Sequence, residues 1–109
     1  MKFKATEEQV AQMAANAINA SKPMGLGFLS ADMGKTYTPQ DALKAIDIHA
    51  GRGGLYLDYV DGRMVKLNIH HKNGIWEMDD RLFEDYQSWS KTYSSAKALA
   101  ESVPGVEII

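Results

Sequence analysis

Cysteine does not occur anywhere in the chain, which removes disulfides, thiolate chemistry and cysteine-based zinc sites together and suits a reducing compartment. Long apolar runs are missing as well. No window approaches the roughly 18 consecutive apolar residues needed to cross a bilayer, and Lys2–Lys4 leads into the polar Thr6-Glu7-Glu8-Gln9 rather than into the apolar stretch of a secretory leader. The 12 Lys and Arg residues are outnumbered by 14 Asp and Glu, giving a net charge of −2, and form no run. The electrostatic footprint of a nucleic-acid binder is therefore not visible. These absences predict a cytoplasmic protein with neither a membrane nor a nucleic acid as partner.

What is present fits one domain over residues 1–109, because a chain of this size with 45% hydrophobic residues needs most of its length for a single core. Thr6 followed by Gln9 is a capping box, and Val10, Met13, Ala14, Ala17 and Ile18 recur at helical spacing until Lys22-Pro23. The stripe is rich in Ala, so this helix should lie close against a flat surface such as a sheet. Thr38-Pro39-Gln40-Asp41 starts a second helix, running to about Ile46, with a capping hydroxyl, proline in the first helical position and an acid in the first turn. Met24–Leu29 reads as a short extended run interrupted by two glycines.

Residues 54–78 carry the clearest pattern, an antiparallel meander. Leu55, Leu57 and Tyr59 alternate with Tyr56 and Asp58, and Val65, Leu67 and Ile69 alternate with Met64, Lys66, Asn68 and His70. A three-residue loop, Val60-Asp61-Gly62, would pair Tyr59 with Arg63, Leu57 with Val65 and Leu55 with Leu67, bringing the apolar sets to one face. Asn73-Gly74 suits a two-residue type I′ turn that sets Trp76 opposite His71 and Met78 opposite Ile69. Leu82, Tyr86, Trp89 and Tyr93 then follow at helical spacing. A last helix is expected over Ala96–Ser102, ended by Pro104-Gly105, with Val106–Ile109 as an edge strand. The fold class is thus α+β: an antiparallel meander of three or more strands packed against N-terminal and C-terminal helices.

Motifs for chemistry are sparse. Gly34-Lys35-Thr36 lacks the glycine a phosphate-binding loop needs five residues earlier, where Leu29 stands. His70 and His71 are strand neighbours that point to opposite faces, so no metal site and no cofactor is expected. No nucleophile with a base is recognisable and no catalytic residue is assigned. The most ligand-like constellation is the mixed sheet face and hairpin of Tyr56, Asp58, Tyr59, Arg63, Lys66 and His70, entered through Gly51-Arg52-Gly53-Gly54. Guanidinium and glycine-turn amides bind phosphate or carboxylate, and tyrosines offer flat faces to a base. Tyr86 and Trp89 are the candidate partner-binding residues, provided the core-facing side of the sheet is already covered.

The run Leu57-Asp58-Tyr59-Val60-Asp61-Gly62-Arg63-Met64-Val65-Lys66, with Tyr86-Gln87-Ser88-Trp89 further on, resembles small accessory proteins carried by bacteriophages and prophages. The resemblance implies an accessory or counter-defence role in a host cell, exerted by occupying a protein or sequestering a nucleotide-like signal. Residues and resemblance together predict a non-catalytic binding protein for a host protein or small anionic ligand. Two alternatives are a small acid/base enzyme using Asp58 and His70, and a self-assembling virion component with Val106–Ile109 as a homo-oligomer contact.

Overall fold

A computed structural model describes residues 1–21, 35–49, 54–60, 63–79 and 93–109. The elements in chain order are β1 (Lys2–Lys4), α1 (Glu7–Ala20), α2 (Pro39–Ala45), β2 (Asp47–His49), β3 (Gly54–Val60), β4 (Arg63–Lys72), β5 (Ile75–Met78), α3 (Ala96–Glu101) and β6 (Glu107–Ile108). The fold is α+β. Among the described residues, six strands form one sheet in the order β2-β3-β4-β5-β1-β6, with every neighbouring pair antiparallel. The expected meander is its centre. The expected segments Met24–Leu29, Gly51–Gly53 and the helix after Asp79-Asp80, with Tyr86 and Trp89, lie outside the described residues.

The predicted Thr6–Gln9 capping box forms, and the predicted start of α2 at Thr38 proves to be a second one. Thr6 Oγ1 accepts from the Gln9 N–H at 3.2 Å while Gln9 Oε1 accepts from the Thr6 N–H at 2.8 Å, and Thr38 and Asp41 repeat the exchange at the start of α2. The Ala-rich stripe of α1 is what lets the helix lie close to the sheet. Val10, Met13, Ala14, Ala17 and Ile18 are buried together with Leu57, Val65, Leu67, Ile69 and Met78 from the strands and Leu99 and Val103 from the α3 region. Strand β1 enters the core through Phe3, which is opposite Trp76 on one side and Ile108 on the other.

The second hairpin has the expected register: His71 faces Trp76, Ile69 faces Met78, and Asn73 and Gly74 both take positive φ, 54° and 79°, as a type I′ turn requires. The first hairpin differs. Val60 pairs with Arg63 and Tyr59 with Met64, so only Asp61 and Gly62 separate the paired ends; a bulge then shifts the frame, and Leu57 pairs with Leu67 and Leu55 with Ile69. Residues 65 and 66 of β4 stand against the single residue 58 of β3. The irregularity brings Val60 onto the buried side three residues after Leu57, while burial alternates without interruption at Arg63, Val65, Leu67 and Ile69 of β4.

Candidate functional site

Arg63 opens β4 on the core-facing side and is 4% exposed. Helix α1 has no basic residue in its last turn, and the Arg63 guanidinium takes that role from across the fold, donating to the Ile18 carbonyl at 3.3 Å. The same group donates to the Lys35 carbonyl at 2.9 Å and lies 5.6 Å from the centre of the Tyr37 ring. Lys35 approaches that ring with its ammonium at 4.7 Å. Arg63 is thus engaged in closing the end of α1 against the chain entering α2. It is not displayed on the outer sheet face with His70, where the mixed-face reading needed it.

The remaining predicted residues divide differently. Lys66 and Asn68 are half-buried and His70 is exposed on the side of β4 away from the core. For Tyr56, Asp58 and Tyr59 only the backbone in β3 is described, and their side chains lie outside the described set. The pairing nevertheless separates Asp58 from His70. His70 is opposite Gly54, so Asp58 stands four residues further along β3, about 13 Å at ~3.3 Å per residue.

Sequence reasoning missed the groove that the outer face does form, because two of its sides come from β1 and from Ile109, just past β6. Lys2 pairs with Glu77 and Glu77 with His70, while the Ile109 N–H donates to the Lys2 carbonyl at 3.1 Å, so Ile109, Lys2, Glu77 and His70 make one row across the sheet. Ile75 and Lys72, paired two residues further along, make the second row on the same face. These six residues and Asn73 line an open groove of about 460 Å³. Lys2, His70, Lys72 and Glu77 are exposed, Ile75 is half-buried, and Ile109 is 63% exposed. The signal in the sequence was Ile75 itself, an aliphatic residue alternating out of phase with Trp76 and Met78.

His71 belongs to the other side of the sheet. Its ring lies 4.5 Å from that of Trp76, whose indole N–H donates to the Ala5 carbonyl at 2.9 Å, so His71 shields a core residue while His70 faces the groove. Among the described residues, no group of three or more His, Asp or Glu side chains converges as metal ligands, and no helix is long and apolar enough to cross a membrane.

Comparison of the chain with protein-family models, with curated proteins and with solved structures found no match.

Proposed function

We propose that this is a non-catalytic binding protein whose outer sheet face, around Lys2, His70, Lys72 and Ile75, holds an anionic partner: a small ligand, or an acidic site on another protein. The observation that carries the reading is local charge. The chain is net −2, yet the side chains lining the groove supply two ammonium groups and an imidazole against one side-chain carboxylate, that of Glu77. The helices cover the opposite face, and the outer face at this end of the sheet remains exposed. The accessory or counter-defence setting, and the cytoplasm of a host as location, belong to the same proposal. They are supported by the resemblance of residues 57–66 and by the lack of cysteine.

Amide chemical-shift mapping with phosphate, acetate, adenosine monophosphate and decanoate tests it. Shifts clustered at Lys2, His70, Lys72 and Ile75, and lost in the Lys2→Glu/Lys72→Glu variant, are expected for at least one of these anions. A spectrum unmoved by all four, or moved equally in the charge-reversed variant, overturns the proposal.

A further inference from the structure

We infer that Asn73 is a self-modifying site: its side-chain amide reacts with the main-chain nitrogen of Gly74, and water then converts the residue to aspartate or isoaspartate without an enzyme. The change balances with water as the only co-reactant. The Gly74 nitrogen gives up its proton and bonds to the side-chain carbonyl carbon of Asn73, while the bond from that carbon to the amide nitrogen breaks and ammonia leaves. The five-membered imide then takes up one water. Opening at the side-chain carbonyl gives aspartate, and opening at the main-chain carbonyl gives isoaspartate, whose main chain runs through the former side chain.

Of the four asparagines in the chain, Asn16, Asn19, Asn68 and Asn73, only the last precedes glycine. Asn16 and Asn19 lie inside α1, where the next N–H is committed to the helix, and their amides are engaged as well. Asn16 accepts from Gln12 and donates to Ser102, and Asn19 holds the Tyr37 main chain. Asn68 is half-buried in β4, and the branched side chain of Ile69 crowds the nitrogen that follows it. Asn73 is exposed, and its amide makes no hydrogen bond among the described residues.

The turn supplies the nucleophile. A type I′ turn is closed by the pairing of Lys72 with Ile75, which leaves the Gly74 N–H without a main-chain partner. Gly74 has no side chain to hinder approach, and a Cβ placed there would meet nothing within 4 Å, so the nitrogen stands open to water. Ring closure requires the side chain and main chain of Asn73 to rotate toward each other, and at the tip of the hairpin the Lys72–Ile75 pair is what resists it. Asn73 borders the groove beside Lys72, so either product adds a carboxylate to the lining. Aspartate tolerates the positive φ and keeps the turn. Isoaspartate adds a carbon to the main chain of a two-residue turn, and the pairing of Lys72 with Ile75 is lost.

Incubation of the intact, folded chain in mildly alkaline water enriched in heavy oxygen, followed by peptide mass spectrometry, tests this. Asn73 is expected to convert at least tenfold faster than Asn16, Asn19 and Asn68, to give both aspartate and isoaspartate, and to take up one labelled oxygen. Mildly acidic buffer should slow the conversion at least tenfold, because the Gly74 nitrogen must lose its proton. Gly74→Ala should slow it by a similar factor; if that variant loses the turn, the comparison among the four asparagines of the unchanged protein still decides. Asn73 converting no faster than the other three, while the urea-unfolded chain does convert it, would show that the turn guards the residue and would overturn the inference. Aspartate without isoaspartate would mean direct hydrolysis and would overturn the imide step. None of these outcomes depends on whether the groove binds an anion.

Discussion

The side-chain amide of Asn19 grips the main chain of Tyr37 from both sides: its Oδ1 accepts from the Tyr37 N–H at 2.7 Å and its Nδ2 donates to the Tyr37 carbonyl at 3.0 Å. A residue in the last turn of α1 thereby supplies a strand-like pair of hydrogen bonds to the segment that leads into α2. Tyr37 is 6% exposed and belongs to the core, so the grip fixes where that ring enters the apolar interior.

Asn19→Ala removes both bonds and leaves the Tyr37 main-chain groups to compete for water. At about 1 kcal/mol net per hydrogen bond, the expected loss is about 1–2 kcal/mol in urea denaturation. Asn19→Asp keeps the acceptor but loses the donor, and should fall between.

Arg63→Met should cost more, about 3 kcal/mol, because two carbonyls bonded to a buried cation lose their donor and the Tyr37 ring loses its guanidinium neighbour. Lysine carries the charge without the planar fork, so Arg63→Lys should recover less than half of the loss. Equal stability of the arginine and methionine proteins would remove Arg63 from its place as the cross-fold cap of α1.

Much of the architecture was written locally. Thr6 with Gln9, Thr38 with Pro39 and Asn73 with Gly74 each act within four residues, so the helix starts and the second hairpin could be read before any tertiary contact was known. The first hairpin could not, because Val60 pairs with Arg63 across only two residues and the misalignment this creates is corrected by a bulge at residue 58, which no turn residue marks. Strands β1 and β2 have three residues each, too few for alternation to register. The candidate site suffered most. A basic residue at the head of a strand looks the same in sequence whether it reaches for a ligand or, like Arg63, for the carbonyl of a helix residue 45 positions earlier. The groove is assembled from β1, β4, β5 and Ile109, and that adjacency follows from topology rather than from spacing.

Gly105 sits at φ +87°, the third residue of a turn in which the Val106 N–H approaches the Val103 carbonyl at 3.5 Å and Pro104 comes second. An added Cβ would meet Gln9 Nε2 at 2.6 Å, and that nitrogen already donates to the Pro104 carbonyl at 3.2 Å. Gly105→Ala should therefore cost about 1–2 kcal/mol from backbone strain alone, with an added crowding cost. In a double-mutant cycle, Gln9→Ala should relieve only the crowding component.

The Asp41 carboxyl is held below its ordinary value of 3.8, first by the Thr38 backbone N–H, then by the Thr38 side chain, with Lys35 adding its charge from 3.9 Å. A carboxyl lowered in the folded state stabilises it fully above the unfolded pKa, and the benefit fades as pH falls through the lower folded value. Denaturation midpoints followed from neutral pH into acid should drop less steeply for Asp41→Asn than for the unchanged protein below pH 3.8. Parallel curves would show that the α2 capping box contributes nothing to acid sensitivity.

The seating of β1 between β5 and β6 sets an order of events in time. Phe3 must find both Trp76 and Ile108, so β1 has no complete berth until residue 108 has been synthesised. Contacts this far apart in sequence are slow to form. The hairpins of residues 54–78 close from within and do not have to wait. A nascent chain should therefore carry a preformed centre and an unsatisfied Phe3, and the groove gains its Lys2 and Ile109 sides only after its β4–β5 side has formed.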